Sequence, residues 1–180
     1  MSDRIKIFFC EPTGDGLATE TFECEKGHRT DIELGRMTSA AWDAKPFDRE
    51  KTIACAQCGA PAKKQSGGFG RIFRRADTGE ELGGARHLPA GAVFEGGYRE
   101  GSDGRGLICV CPDGHHWFID GRASNCTMKD DKVHRCWVRH GKPEDGTLHV
   151  DKNGNTCSAG AGSIQTPHWH GFLHHGELHA

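Results

Sequence analysis

Apolar residues along this chain recur at every second position in short runs and almost never at helical spacing. The runs "IKIFF" (5–9), "ETFEC" (20–24), "TDIEL" (30–34), "GRIFR" (70–74) and "LICVC" (107–111) predict strands. So do "HWFI" (116–119), "CWVRH" (136–140), "TLHV" (147–150) and "GFLHH" (171–175). One stretch, "TSAAWDA" (38–44), predicts a short helix with Thr38 or Ser39 as its cap and Pro46 stopping it. Asp113-Gly114, Asp120-Gly121 and Asn153-Gly154 are dipeptides that favour tight turns between strands. The pattern predicts a mostly β protein of short antiparallel strands and long loops.

Two segments are expected. Residues 1–75 hold one Cys/His group and most of the local basic charge. Residues 76–91 are polar, glycine-rich and without period, which predicts a connector. Residues 92–180 hold a second Cys/His group and every tight turn signal. Apolar residues make up only 35% of the chain, thin for one large core, so staples are expected. Nine Cys and twelve His can supply them. A net charge of -2 argues against a whole-chain electrostatic drive toward nucleic acid or an anionic membrane. No apolar run is long enough to span a bilayer, and the first apolar run is too short for a secretory signal. Folding in a reducing cytoplasm follows as the expectation, and there clustered Cys reads first as metal ligation.

The first Cys/His group is "FECEKGHRT" and "IACAQCGAP", giving Cys24-x3-His28 and Cys55-x2-Cys58. Two knuckles from separate hairpins can each give two soft ligands to a tetrahedral zinc. Gly27 and Gly59 stand where each knuckle turns, and the backbone there can donate N–H groups toward the sulfurs. The pattern resembles a zinc ribbon over roughly residues 20–62, which implies a structural zinc held by Cys24, His28, Cys55 and Cys58. A redox CxxC is the alternative, and no βαβ pattern surrounds it. After it comes "KKQSGGFGRIFRR", where Lys63, Lys64, Arg71, Arg74 and Arg75 are interleaved with Phe69 and Phe73. Such a strip can track phosphates, or it can be a solvated strand edge.

The second group comprises Cys109, Cys111, His115, Cys126, His134, Cys136, Cys157 and His170. Residues two apart on a strand share a face, so Cys109 aligns with Cys111 and His134 with Cys136. These residues predict a second metal site, for instance Cys111 and His115 with Cys136 and His134 or His170. Disulfides are the rival. Catalysis would use Cys136 with His134 or His140 and Asp130 or Asp131 behind, or a metal on His168 and His170. The five histidines of "PHWHGFLHHGELHA" read mainly as strand and interface residues, with His170 the ligand candidate among them.

From residue 106 onward, "CPDGHHWFIDGRASNCT", "VHRCWVRHG", "DKNGNTCSAGAGSI" and "HGFLHHGEL" resemble a small family of tailed-bacteriophage and prophage proteins. The elements "SI", a His, "GFL" and "G-x-L" are distantly similar to a bacterial domain found near ubiquitin-like conjugation genes. The resemblance brings no catalytic residue and implies a setting. It leads to the expectation of a non-enzymatic virion protein, a capsid decoration or cement protein made in the host cytoplasm. Such a protein would form a homo-oligomer and contact capsid or other virion proteins. A zinc-ribbon nucleic-acid-binding accessory and a metal- or Cys-dependent hydrolase are the alternatives.

Overall fold

The computed structural model describes residues 4–84, 87–96, 100–101, 103–123, 125–128, 130–152 and 162–180. Among them lie fourteen strands and one helix: β1 (Ile5–Lys6), β2 (Phe8–Cys24), β3 (Arg29–Thr38), α1 (Ser39–Asp43), β4 (Thr52–Ala54) and β5 (Pro61–Arg75) open the chain. There follow β6 (Glu81–Leu82), β7 (Ala92–Glu95), β8 (Leu107–Val110), β9 (His116–Phe118) and β10 (Trp137–His140). β11 (His149–Lys152), β12 (Ile164–Gln165), β13 (His170–His174) and β14 (Glu177–His179) complete the set. The protein is mostly β, as the alternation predicts. The helix forms where expected: the Thr38 hydroxyl accepts the Ala41 N–H at 3.1 Å, satisfying one of the first turn's orphan donors.

The chain forms two compact units, and they are not the two expected segments. The first is Pro12–Arg74 with Glu81–His87; the second is Met1–Glu11, Arg75–Glu80 and Leu88–Ala180. The expected boundary near residue 75 exists, but residues 1–11 belong to the later unit because β1 pairs with β14 and Phe8–Cys10 pair with β7. The expected connector is not free chain either: Glu81 and Leu82 form β6 and pair with Arg74 and Phe73 of β5.

In the first unit β3 and β5 lie against β2, and β4 and β6 lie against β5. From Gly16 the strand β2 alternates: Gly16, Ala18, Glu20, Phe22 and Cys24 are buried, and the residues between them are not. This inward face is mostly small or polar. A Cβ on Gly16 would come within 2.5 Å of the Phe69 ring, so glycine is what lets β2 and that ring meet. Glu20 is buried and gathers three ammonium groups, Lys51 at 2.7 Å, Lys64 at 2.8 Å and Lys45 at 3.5 Å. Hydrogen bonds from Lys51 and Lys64 hold its carboxyl down to about 2, outweighing burial. The apolar core of this unit is small: Phe22, Cys24, Cys55 and Ala62 cluster with Ile53 and Cys58 against them, and Ala18, Ile72 and Phe73 are buried besides.

The second unit has the larger core: Ile7, Phe9, Val93, Leu107, Cys109, Cys111, Trp117, Ile119, Leu148, Val150, Ile164, Leu173 and Leu178. Around it lie the antiparallel β7–β8–β9, the four strands in the order β1–β14–β13–β12, and the hairpin β10–β11. Beside the core Asp120 accepts the Leu107 N–H at 3.1 Å and pairs with Arg139 at 3.0 Å. Arg139 also grips Asp103, so its guanidinium stays satisfied although it is only 10% exposed.

Candidate metal centres

Cys24 ends β2 and His28 precedes β3, and the hairpin between them is closed by two backbone bonds. The Gly27 N–H donates to Cys24 O at 2.8 Å and the Cys24 N–H to His28 O at 3.1 Å. Cys55 and Cys58 occupy the matching turn between β4 and β5, where the Gly59 N–H donates to Cys55 O and the Cys55 N–H to Ala60 O, both at 2.8 Å. Gly27 and Gly59 have φ of 77° and 71°, with nothing within 4 Å of where a Cβ would stand. Their requirement is therefore conformational rather than steric.

These turns bring Cys24, His28, Cys55 and Cys58 together, with all four ligand atoms within 4.8 Å of one another. The Cys24 and Cys58 sulfurs are 3.9 Å apart, as are Cys55 Sγ and His28 Nδ1. A tetrahedral ion with metal–sulfur bonds of about 2.3 Å places its sulfurs about 3.8 Å apart, so the group has the size a metal requires. Its electrostatics favour thiolate. The Gln57 backbone N–H, joined by the Cys58 N–H and the Cys58 and His28 side chains, brings the Cys55 thiol down to about 6. The Ala60 N–H pulls Cys58 the same way, but burial and the neighbouring sulfurs of Cys55 and Cys24 push that thiol up. The four residues can hold a metal ion.

Of the eight candidate residues for a second site, the seven that are described do not all come together. Cys126, His134 and Cys136 do: all are buried, their ligand atoms lie within 4.8 Å, and Cys136 Sγ is 3.7 Å from His134 Nε2. The Ala123 N–H also points at Cys136 Sγ, at 3.3 Å. Cys109 and Cys111 share a side as the strand periodicity requires, but that side is the apolar core. Burial pushes the Cys111 thiol up to about 12 and raises the Cys109 thiol well above its ordinary value, so neither is disposed to become a thiolate ligand. His115 sits on the turn after β8 and His170 is exposed; neither joins a ligand group among the described residues. Cys157, with the Asn153-Gly154 turn, lies outside the described residues. The eight described cysteines are thiols rather than cystines.

The basic strip is largely neutralised. Lys64 is buried on Glu20, Arg74 pairs with Glu81 at 3.0 Å, and Arg75 pairs with Asp77 at 2.7 Å. Phe73 is 2% exposed and so cannot stack a base, which leaves Lys63 and Arg71 as exposed cations beside a half-buried Phe69. Asp77, Glu80 and Glu81, which follow the strip in sequence, partner its two terminal arginines, whereas Lys64 is met by the distant Glu20.

A third group escaped the sequence reading. His149 and Asp151 of β11 and His174 of β13 bring their ligand atoms within 4.8 Å. His149 Nε2 is 3.0 Å from Asp151 Oδ2, and the His149 and His174 ring centroids are 4.5 Å apart. Desolvation first, then the neighbouring imidazoles of His149 and His179, lowers the His174 pKa. The available signal was alternation: Leu148 and Val150 face the core, so His149 and Asp151 share the opposite face. A cleft of about 350 Å³, lined by His115, His116, Trp117, Asp120, Gln165 and Thr166 among others, contains no member of the three groups. No helix of the described residues is long and apolar enough to cross a membrane. No protein-family model, curated protein or solved structure matches the chain.

Proposed function

We propose that this is a non-enzymatic structural protein whose short-stranded units are stapled by bound zinc. The observation that carries the reading is the set Cys24, His28, Cys55 and Cys58: four soft ligands on two hairpin turns, at the separations of a tetrahedral ion. Three thiols and one imidazole suit zinc, and four protein ligands leave no coordination position for a substrate. Such an ion stabilises the fold and performs no chemistry. Cys126, His134 and Cys136 support a second soft staple in the later unit.

The setting is proposed from the resemblance of residues 106–180 to tailed-phage proteins. It is that of a virion component, a capsid decoration or cement protein, presenting loops to capsid subunits and to copies of itself. The nucleic-acid alternative draws less support, since three of its five cations already hold carboxylates. The test is mass spectrometry at two levels. Peptides of the chain are expected in purified phage particles at a fixed ratio to the major capsid protein. The isolated protein is expected to retain zinc through buffer exchange and to form a closed oligomer. Absence from the particles overturns the virion role, and a zinc-free folded protein overturns the staple.

A further inference from the structure

Five imidazoles gather in the second unit, and they arrive from two hairpins by the same rule. On β11, Leu148 and Val150 enter the core while His149 and Asp151 take the other side, with His140 directly opposite His149 across the β10–β11 ladder. On β13 and β14, Leu173 and Leu178 enter the same core and face each other, so Phe172, His174 and His179 take the other side. The burial that fixes two strand registers thus also fixes which histidines meet.

The turn joining β13 and β14 adds a fifth ring. Its two residues, His175 and Gly176, both have positive φ, 48° and 78°, the signature of a type I′ hairpin. His175 is the only non-glycine residue with positive φ among the described residues. The conformation is held from outside: the Gly176 N–H donates to Leu148 O, and Gly176 O accepts the Ile7 N–H, each at 2.8 Å. A Cβ on Gly176 would run into the backbone of Gly146, so the turn is seated against the segment that leads into His149. In this position the His175 ring stacks on His149 with centroids 4.7 Å apart.

We propose that His149, Asp151 and His174 form a metal site of a different kind from the thiolate staple: a partly open two-histidine, one-carboxylate site for a divalent first-row transition ion. The chemistry selects the class. Imidazole and carboxylate together suit nickel, copper, zinc or iron(II), and the absence of sulfur separates the site from the soft Cys groups. His149 Nδ1 is buried and has no hydrogen-bond partner among the described residues, a state native proteins rarely leave uncompensated. The ring is thus poised between a carboxylate on one nitrogen and nothing on the other. The site is also reachable: Asp151 is 54% exposed and His149 18%. Three protein ligands leave positions open for water or a small anionic ligand, and the rings of His140 and His175 lie beside His149 and that of His179 beside His174, with centroids 6.1, 4.7 and 5.3 Å away.

The test uses the full-length protein carrying its zinc, titrated with nickel(II) by calorimetry and native mass spectrometry. Nickel is poorly suited to displacing zinc from a tetrahedral thiolate site, so the two sites are read separately. The expected result is one nickel bound in addition to zinc. His149→Ala and His174→Ala should each weaken it about tenfold or more, as should Asp151→Asn on the exposed side. The double variant His168→Ala/His170→Ala should retain it. No additional nickel, or nickel binding that is lost only in the His168/His170 variant, overturns the proposal. Should the alanine variants fail to fold, the wild-type protein decides: paramagnetic nickel should broaden the His149 and His174 imidazole resonances, and unbroadened resonances overturn the site.

Discussion

The pentapeptides CEKGH (24–28) and CPDGH (111–115) fold alike and end differently. In each, the glycine N–H donates to the cysteine carbonyl at 2.8 Å and the cysteine N–H donates to the histidine carbonyl. In each the glycine has positive φ, 77° for Gly27 and 79° for Gly114. Yet Cys24 meets three other ligands, whereas Cys111 is sealed among Ile7, Phe9, Trp117 and their neighbours. The first turn faces a second knuckle; the second is tied by Asp113 to Thr166 and His168 instead. A knuckle is therefore only half of a metal site. What stands opposite decides whether the sulfur becomes a thiolate ligand or a small apolar side chain.

The comparison can be broken first at its metal. Cys55→Ser, or a strong chelator, should unfold the first unit, because zinc binding at such sites is worth about 10–16 kcal/mol of folding free energy. The near-UV signal of Trp42 should be lost while Trp117 and Trp137 keep theirs. A folded, metal-free first unit would end the staple reading.

Next in size is the strand that delivers Cys24. Glu20→Gln leaves Lys64 buried without its anion and should cost about 3–5 kcal/mol in urea denaturation. The pH dependence has a fixed sign. Glu20 is held at about 2 against an ordinary 4.5, so its stabilisation is complete above 4.5 and is lost as pH falls toward 2. The variant should lack that acid loss of stability.

A smaller change separates the two sulfurs directly. Cys111→Ser places a hydroxyl in the apolar core, and should cost about 1–3 kcal/mol with metal content unchanged. Smallest are Gly27→Ala and Gly114→Ala. Neither new methyl meets an atom within 4 Å, so each should cost only the left-handed backbone penalty, about 1–2 kcal/mol. Equal losses in thermal denaturation would confirm that the two turns are the same device. Only Gly27→Ala should also weaken zinc binding.

Where apolar residues alternate with polar ones, the strands were legible. "LICVC" and "GFLHH" form strands within a residue of their expected bounds, while "GRIFR" is only the last third of β5, which begins nine residues earlier at Pro61. The stretch from Cys10 to Thr19 was not legible, because its inward positions are Gly16 and Ala18 and it contains Pro12; no hydrophobic period marks a face lined by small residues. The four-ligand group could be read from spacing because each knuckle lies within one hairpin. The His149–Asp151–His174 group draws on two hairpins, and nothing in local spacing brings β11 to β13. Cys111 misled for the converse reason. Its local motif is that of a ligand, and only the core around it shows otherwise.

The pairing of β1 with β14 sets an order of manufacture. Residues 12–87, which include the candidate ligands Cys24, His28, Cys55 and Cys58, are complete on the ribosome about ninety residues before β14 is made, at synthesis rates of about 5–20 residues per second. Ile5 and Lys6, made earlier still, find their partners Leu178 and Glu177 only when β14 has been made. The first unit can therefore assemble its four candidate ligands as a nascent chain, while the second must hold β1 without its β14 partner until that strand is made. Removing β14 would leave β1 without that partner and expose an edge beside Ile7 and Phe9.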